Sequence, residues 1–453
     1  MESIEAALGL DRGAEVVGEA RFPSCFAVSD LAAAAVGAVG ASVAALVSEL
    51  GLAPQAPAVR VDQRLASLWC LQSIVPIGWS LPPVWDAVAG DYTAQNDWIR
   101  LHTNLPRHRA AALAVLGVTA ERARVAEAVA RWDADALEQD IIAAGGVAAR
   151  MRSVEAWAAH PQGRAVGDEP LITWGSSPVR RPRAWPATLE QPLNGLRVLD
   201  LTRVLAGPVA TRTLAGFGAQ VLRIDPPGWE EANLVPDITL GKHCACLRLD
   251  DAKDRACFEA LLSEADLLVH GYRPDALDRL GYGAATRARL APALLEVTLD
   301  AYGWTGPWAT RRGFDSLVQM SSGIADAGRR WAGADCPTPL PVQALDHATG
   351  YLMAAAILRA LAGALSTAGG RHARLSLART AALLVSMPQD AEAHLERSIP
   401  LEDCDDAIEV TPWGPARRLR PPLHIDGVPM RWSRPACTLG SAPAAWPGVH
   451  PPS

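Results

Sequence analysis

The pentad Pro-Val-Gln-Ala-Leu runs into Asp346, and His347-Ala348-Thr349-Gly350 behind it opens a long apolar helix, so one carboxylate stands at a helix start. An aspartate so placed is a candidate nucleophile. The N-terminus of a helix carries partial positive charge and unpaired backbone N–H groups, which favour the ionised carboxylate and aim it outward. The competing role is structural, because Asp is among the residues that cap helices best.

The elements that must position this group follow a regular order. Leu196 to Val204 (LRVLDLTRV) reads as a short apolar strand, Ala206-Gly207-Pro208 as a tight turn and ATRTLAGFGA as a helix, followed by a strand at Val221 to Asp225. DRACFEALLSEA is an amphipathic helix, DLLVHGY a strand, and LLEVTLDAY another strand ending at Gly303. Strands alternating with helices predict an α/β fold with a doubly wound parallel sheet, which binds ligands beyond the carboxyl ends of its strands. The glycines carry no nucleotide fingerprint: Gly216 and Gly218 end the first helix, and Gly241-Lys242 is followed by His243 where a phosphate loop needs Ser or Thr. Before this region, residues 166–192 are dense in Pro, Ser and Arg without periodicity and read as a linker. NDWIRLHTN (Asn96 to Asn104) is a strand followed by helical segments, a small α+β unit of its own.

An internal repeat connects the two ends of the chain. With Asp30 placed over Asp346, FAVSDLAAAAVGAVGASVAALV lies over VQALDHATGYLMAAAILRALAG, and Val59 to Leu68 lies over Ala373 to Ala382. Both copies read as Asp, apolar helix, loop, strand.

Composition narrows the function classes. The 453 residues carry 42 basic and 49 acidic side chains, a net charge of -7, so no basic field invites nucleic acid. The eight cysteines are scattered and have no CxxC spacing, as expected of reduced thiols in a cytoplasmic protein, and no metal site is assigned. The first twenty residues lack the basic and apolar regions of a signal peptide, and the longest apolar stretch, Leu31 to Val47, is slightly short for a bilayer, so a buried helix and no membrane partner are expected.

The runs GLRVLDLTRVLAGPVATRTLAGFGAQVLRID, LGKHCACLRLD, DLLVHGYRPDALDRLGY, VTLDAYGWTGPWATRRGFDSLVQMSSGIA and PVQALDHATGYLMAAAILRAL keep a consistent spacing from about Gly195 to about Leu384. In this they resemble the class III CoA-transferases, the group that includes formyl-CoA transferase and the carnitine CoA-transferases. WIRLHTN and AAGGVAARMRSVEAWAAHPQ resemble the same family's small domain. The resemblance implies a Rossmann-like CoA-binding large domain plus a small α+β domain, in an unusual order: 1–70 a partial large-domain repeat, 71–165 the small domain, 166–192 the linker and 193–453 the large domain. The chain looks like the back half of one copy fused to the front half of another, with PLHIDGVPMRWSRPACTLG resembling the family's closing strand returning to the large domain.

By the same resemblance, CoA moves from an acyl-CoA to a free carboxylic acid through anhydride and thioester intermediates on Asp346, a carboxylate whose ordinary pKa of ~4 leaves it ionised at neutral pH. CoA enters as a thioester substrate, and no permanently bound cofactor is implied. CoA contacts fall to Val204, Leu205 and Ala206 in the first turn, Leu249, Arg279 and Leu280, and Arg312; the two arginines suit phosphates. Lys253 is a lesser phosphate candidate. Asp315, in a Gly-Phe-Asp motif near the family's active site, has a structural alternative as cap of the helix after it. A homodimer is implied as well. The chain departs from the family at Gly271, where an asparagine is usual, at Pro226, where a basic residue is usual, and in lacking a glycine run within residues 70–165. Two alternatives stay open. One is an α-methylacyl-CoA racemase, whose catalytic histidine would fall at Phe314; the other is a non-catalytic CoA-binding homologue. His347 is taken as structural because consecutive helical residues face different directions. Asp30 is assigned no chemistry.

Overall fold

A computed structural model describes residues 2–177, 183–273, 275–366, 370–389 and 394–447. In chain order its strands are β1 (Glu15–Val17), β2 (Val59–Asp62), β3 (Ile74–Pro76), β4 (Gly90–Thr93), β5 (Trp98–Leu101), β6 (Ala148–Arg150), β7 (Thr173–Ser177) and β8 (Arg197–Leu201). Then come β9 (Gln220–Asp225), β10 (Lys242–Cys246), β11 (Leu267–His270), β12 (Leu295–Asp300), β13 (Gly370–Ser376), β14 (Cys404–Thr411), β15 (Gly414–Leu419) and β16 (Leu423–Ile425).

The central sheet has the order β10-β9-β8-β11-β12-β13-β7, parallel throughout except for the antiparallel edge strand β7. This is the doubly wound arrangement expected from the alternation of elements. Its strands read as continuous apolar runs because helices cover both faces; in β11 all four residues are buried. The strand order reverses between β8 and β11, which opens a crevice at their carboxyl ends.

The repeat is visible as topology. β1 pairs parallel with β2 and β16 adds to β2 antiparallel, just as β12 pairs with β13 and β7 adds to β13. The helix Val28–Glu49 precedes β2 as Ala344–Ser366 precedes β13, and Asp30 and Asp346 are each the third residue of their helix. β2 and β13 each end on the N-cap of the next helix: Asp62 accepts from the Leu65 N–H at 2.9 Å, and Ser376 from the Arg379 N–H at 3.2 Å. The two long helices are apolar enough to cross a bilayer by length and composition, yet they pack along each other, their apolar windows 89% and 83% buried inside the fold.

Strand pairing crosses the boundaries drawn at residues 71, 166 and 193. The segment read as a linker supplies β7, and its residues 178–182 lie outside the described residues, as do 448–453 of the large domain. β3, inside the range given to the small domain, pairs with β15. The closing strand, β16, joins β2 of the first repeat and leaves the central sheet as it is. Ala206-Gly207-Pro208 is the first turn of the helix Ala206–Ala215 rather than a turn before it; a proline this early removes only an N–H that has no intrahelical partner.

The small domain is the antiparallel sheet β4-β5-β6 with helices Pro106–Leu116, Arg122–Val129 and Ala134–Ala143 around a separate core that includes Ile99, Val129, Leu137 and Ile141. It docks on the rest of the chain through Val147, Ala149 and Met151 packed against Leu317 and Met320.

Candidate active site

The crevice floor is built by a buried charge cluster. Asp200 in β8 accepts from the Thr202 N–H at 2.9 Å, the Thr211 hydroxyl at 2.5 Å and Lys242 Nζ at 3.0 Å. Burial opposes that carboxylate, but Lys242, Arg223 and the threonine hydroxyls outweigh it and hold it below the usual range. Lys242 therefore serves as a fully buried clamp between strand and helix, with Nζ also donating to the Pro208 carbonyl at 3.0 Å. The chain between β8 and the helix Ala206–Ala215 is tightly wound. Val204 has φ +66°, a left-handed conformation that is costly for a β-branched residue, and its N–H donates to Glu231 Oε1 at 2.6 Å. Gly207 permits the winding, since a Cβ there would come within 2.3 Å of Thr202 Cβ.

Asp346 faces this wound segment. Gly350, one turn further along the same helix, allows the close approach: a Cβ at that position would sit 2.4 Å from the Ala206 carbonyl oxygen and 2.8 Å from Val209 Cβ. The approach sets the Ala206 backbone near enough to the Asp346 carboxyl to favour its anion. Capping of the Asp346 helix falls to Asp315, whose Oδ2 accepts from the backbone N–H groups of Leu345 and Asp346 at 2.9 and 3.0 Å. Gln319 Nε2 donates to the other oxygen of Asp315. Asp315 thus caps a neighbouring helix; the helix it opens, Asp315–Ser321, has no side-chain cap.

Asp346 is only 6% exposed, so it is not the outward, freely ionised group expected at a helix start. Burial raises its proton affinity well above the ordinary carboxylate value and the neighbouring Asp315 raises it further, while the Ala206 N–H pulls it back. Asp315 is itself raised to about 6 by burial, against the three donors that favour its anion. Of the two, Asp346 holds its proton more tightly, having fewer donors. His347 is buried, and burial and the charge of Arg212 lower it to about 3 against the opposing charge of Asp237.

A cavity of about 340 Å³ opens above Asp346. Of the residues predicted to bind CoA, Val204, Ala206 and Arg312 line it with Asp346. Leu205, Leu249, Arg279 and Leu280 do not. Leu205 is buried in the main core; the carbonyls of Leu249 and Leu280 accept from the same Arg255 Nη1; and Arg279, its side chain 69% exposed, pairs with Asp275. Gly271, at the position where an asparagine is usual, lines the wall. A larger hollow of about 640 Å³ beside Phe26 and Trp331 holds none of the predicted site residues.

Sequence reasoning missed several lining groups: Arg107 and His108 from the small domain, and Arg203, Trp229, Arg273 and Asp300 from the large one. The Arg203 guanidinium lies 4.5 Å from the Trp229 ring centre and 5.4 Å from that of Tyr272. Arg107, Arg273 and Arg312 make no salt bridge or side-chain hydrogen bond among the described residues, and burial together with their neighbouring arginines lowers the proton affinity of Arg107 and Arg312. Unpaired guanidiniums facing one cavity form a receptor for a polyanion. One signal was legible in the sequence: Pro106-Arg107-His108-Arg109 puts three basic residues at the positive end of a helix, where cations are unfavourable.

Residues 193–403 match the family described as CoA-transferase family III. The chain is 34% identical over 193 residues to the acetyl-coenzyme A transferase nodX of Hypoxylon pulicicidum, covering 40% of this chain and 32% of that one. It is 35% identical over 151 residues to the acetyl-CoA:oxalate CoA-transferase of Acetobacter aceti, covering 31% and 39%. An acyl-CoA transferase of Gibberella moniliformis is 26% identical over 356 residues, covering 73% of this chain and 62% of that one. The chain spans about a third to a half of the length of the first curated relatives it matches. By this match, residues 193–403 belong to CoA-transferase family III.

Proposed function

We propose that the protein transfers CoA from an acyl-CoA to a carboxylic acid through covalent intermediates on Asp346. The observation that carries this reading is the juxtaposition in one cavity of a buried carboxyl and the guanidiniums of Arg107, Arg273 and Arg312, none of which has an ion-pair partner among the described residues. The Asp346 carboxylate attacks the thioester carbonyl, expelling CoA thiolate and leaving a mixed anhydride. The thiolate then attacks the Asp346 side-chain carbonyl, releasing the first acid and forming an aspartyl thioester; the acceptor carboxylate reverses the two steps. The environment favours these intermediates. Acylation removes the negative charge that burial and Asp315 both oppose, so the same surroundings that raise proton affinity raise acyl affinity. The Ala206 N–H is the donor placed to hold an oxygen that gains charge. Arg203, Arg273 and Arg312 suit the CoA phosphates.

The test is exchange of CoA between radiolabelled acids and a panel of acyl-CoAs, with hydroxylamine added to capture the thioester. A hydroxamate on Asp346 is expected, and an active enzyme that never yields one refutes the covalent route. The placement of His108 in the Asp346 cavity favours a second reading, α-proton transfer on an acyl-CoA. Incorporation of deuterium at the acyl α-carbon in D₂O, without CoA exchange, would establish it. The proposal includes a cytoplasmic setting and the homodimer that the resemblance implies, which fractionation and mass measurement in solution test.

A further inference from the structure

Val204 is, among the described residues, the one residue other than glycine with a positive φ, and it is β-branched, the kind of side chain that tolerates this conformation least. Such a conformation persists only where the surroundings hold it. The holder here is Glu231. Its Oε1 accepts from the Val204 N–H at 2.6 Å and its Oε2 from Arg223 Nη2 at 2.8 Å, so both carboxylate oxygens are committed.

The anchor behind that carboxylate is fixed at both ends. Arg223 is fully buried in β9, where its Nε donates to Asp225 Oδ2 at 2.7 Å. The Glu231 side chain is itself only 4% exposed, and the Glu231 carbonyl accepts from the N–H groups of Leu234 at 2.8 Å and Val235 at 3.0 Å. A rigid link therefore runs from a strand of the central sheet to the wound turn. What the turn presents is the reactive side of the cavity: Arg203, Val204 and Ala206 line it with Asp346, and the helix Ala206–Ala215 starts directly after Leu205 with no side-chain cap. The direction in which Ala206 meets the cavity is thus set by the backbone just before it. Glu231 is not among the lining residues, so its route to the site is the turn.

We propose that Glu231 is a positioning residue that locks Val204 in the left-handed conformation and thereby sets the Ala206 backbone against Asp346 and the bound thioester. The inference rests on the transfer reading above. Without the bond to Glu231, a valine returns to negative φ and the competent turn becomes a minor state, whereas a glycine takes positive φ about as readily as negative. Removal of Glu231 should therefore matter far less in V204G than in the intact chain.

The experiment is a double-mutant cycle on E231A and V204G, with kcat and the KM of one acyl-CoA donor measured in the intact chain, the two single variants and V204G/E231A. In the intact background E231A should lower kcat roughly tenfold or more, and in the V204G background by no more than about threefold. An equal loss in both backgrounds makes Glu231 a structural partner of Arg223 and overturns the lock. So does an E231A variant that loses thermal stability and keeps its kcat. Circular dichroism separates these outcomes from misfolding. Should E231A not fold, E231Q takes its place in the cycle under the same criteria, since its single amide oxygen cannot serve both Val204 and Arg223. Absence of exchange and of hydroxylamine capture by the intact chain with every donor would instead remove the transfer reading. The same four proteins then test the lock through calorimetric CoA affinity: E231A should weaken binding more in the intact background than in V204G, and equal weakening overturns it.

Discussion

Asp30 and Asp346 hold the same third position in two matching helices, and their surroundings divide them. Asp30 is bracketed by Arg21, with contacts of 3.0 to 3.2 Å, and accepts from Gln63 at 2.8 Å; it is a satisfied ion pair. Asp346 meets a second carboxylate and one backbone N–H. A buried group so placed costs stability, and removing its charge should reveal that. D346N is expected to lower exchange on the order of 10³-fold or more and to raise the thermal midpoint by roughly 1–3 °C, read by calorimetry beside the activity assay. A structural cap would behave in the opposite way on both counts. On the proposed covalent route Asp346 must be anionic, and burial and Asp315 hold its pKa up, so kcat/KM should fall as pH drops through that raised value. D315N keeps an oxygen to accept the Leu345 and Asp346 N–H groups and removes the like charge. The Asp346 anion is then easier to form, and the acid limb of the profile should move to lower pH. A limb that stays in place would mean that burial alone sets it.

At the scale of elements, the strand and helix units of the central sheet were readable because each strand is a short apolar run bounded by a helix, a pattern local to the sequence. β7 was not readable. TWGSS has no alternation, and it becomes a strand only because β13, nearly two hundred residues later, offers its edge. The approach of the Asp346 helix to the Ala206 helix was equally invisible, since Gly350 looks like any helical glycine until Ala206 is seen against it. That approach makes a testable claim. G350A should force the two helices apart, costing about 1–3 kcal/mol in urea unfolding. It should also lower kcat more than the KM of acyl-CoA, because the Ala206 N–H is withdrawn from Asp346. An alanine variant at Gly167, in the helix Pro161–Asp168 and with nothing within 4 Å of its added Cβ among the described residues, is the control and should keep its kcat. Arg107 and His108 show the same limit in another way: their chemistry depends on where the small domain docks, and only the cluster of basic residues at a helix start hinted at it.

At the scale of the whole molecule, the two copies of the helix and strand unit lie against one another, each long apolar helix covering the other. That packing frees the rest of the Asp346 unit to carry the crevice, while the small domain, held by Met151 and Val147 on Leu317 and Met320, brings Arg107 and His108 to its far wall. The cavity is lined by the wound turn at Val204, the Asp346 helix and the small-domain helix of this chain, and the buried Asp200–Lys242 pair braces the strand and helix that flank the turn. The expectation drawn from this lining is that exchange does not depend on a second subunit. Specific activity should accordingly stay constant as protein is diluted from micromolar to nanomolar, with a carrier protein present to prevent surface loss. Mixing D346N with R107Q chains should give no more exchange than the sum of the two alone. Recovery on mixing would mean that residues from two chains meet in one cavity, because only then could an intact Asp346 from one partner meet an intact Arg107 from the other.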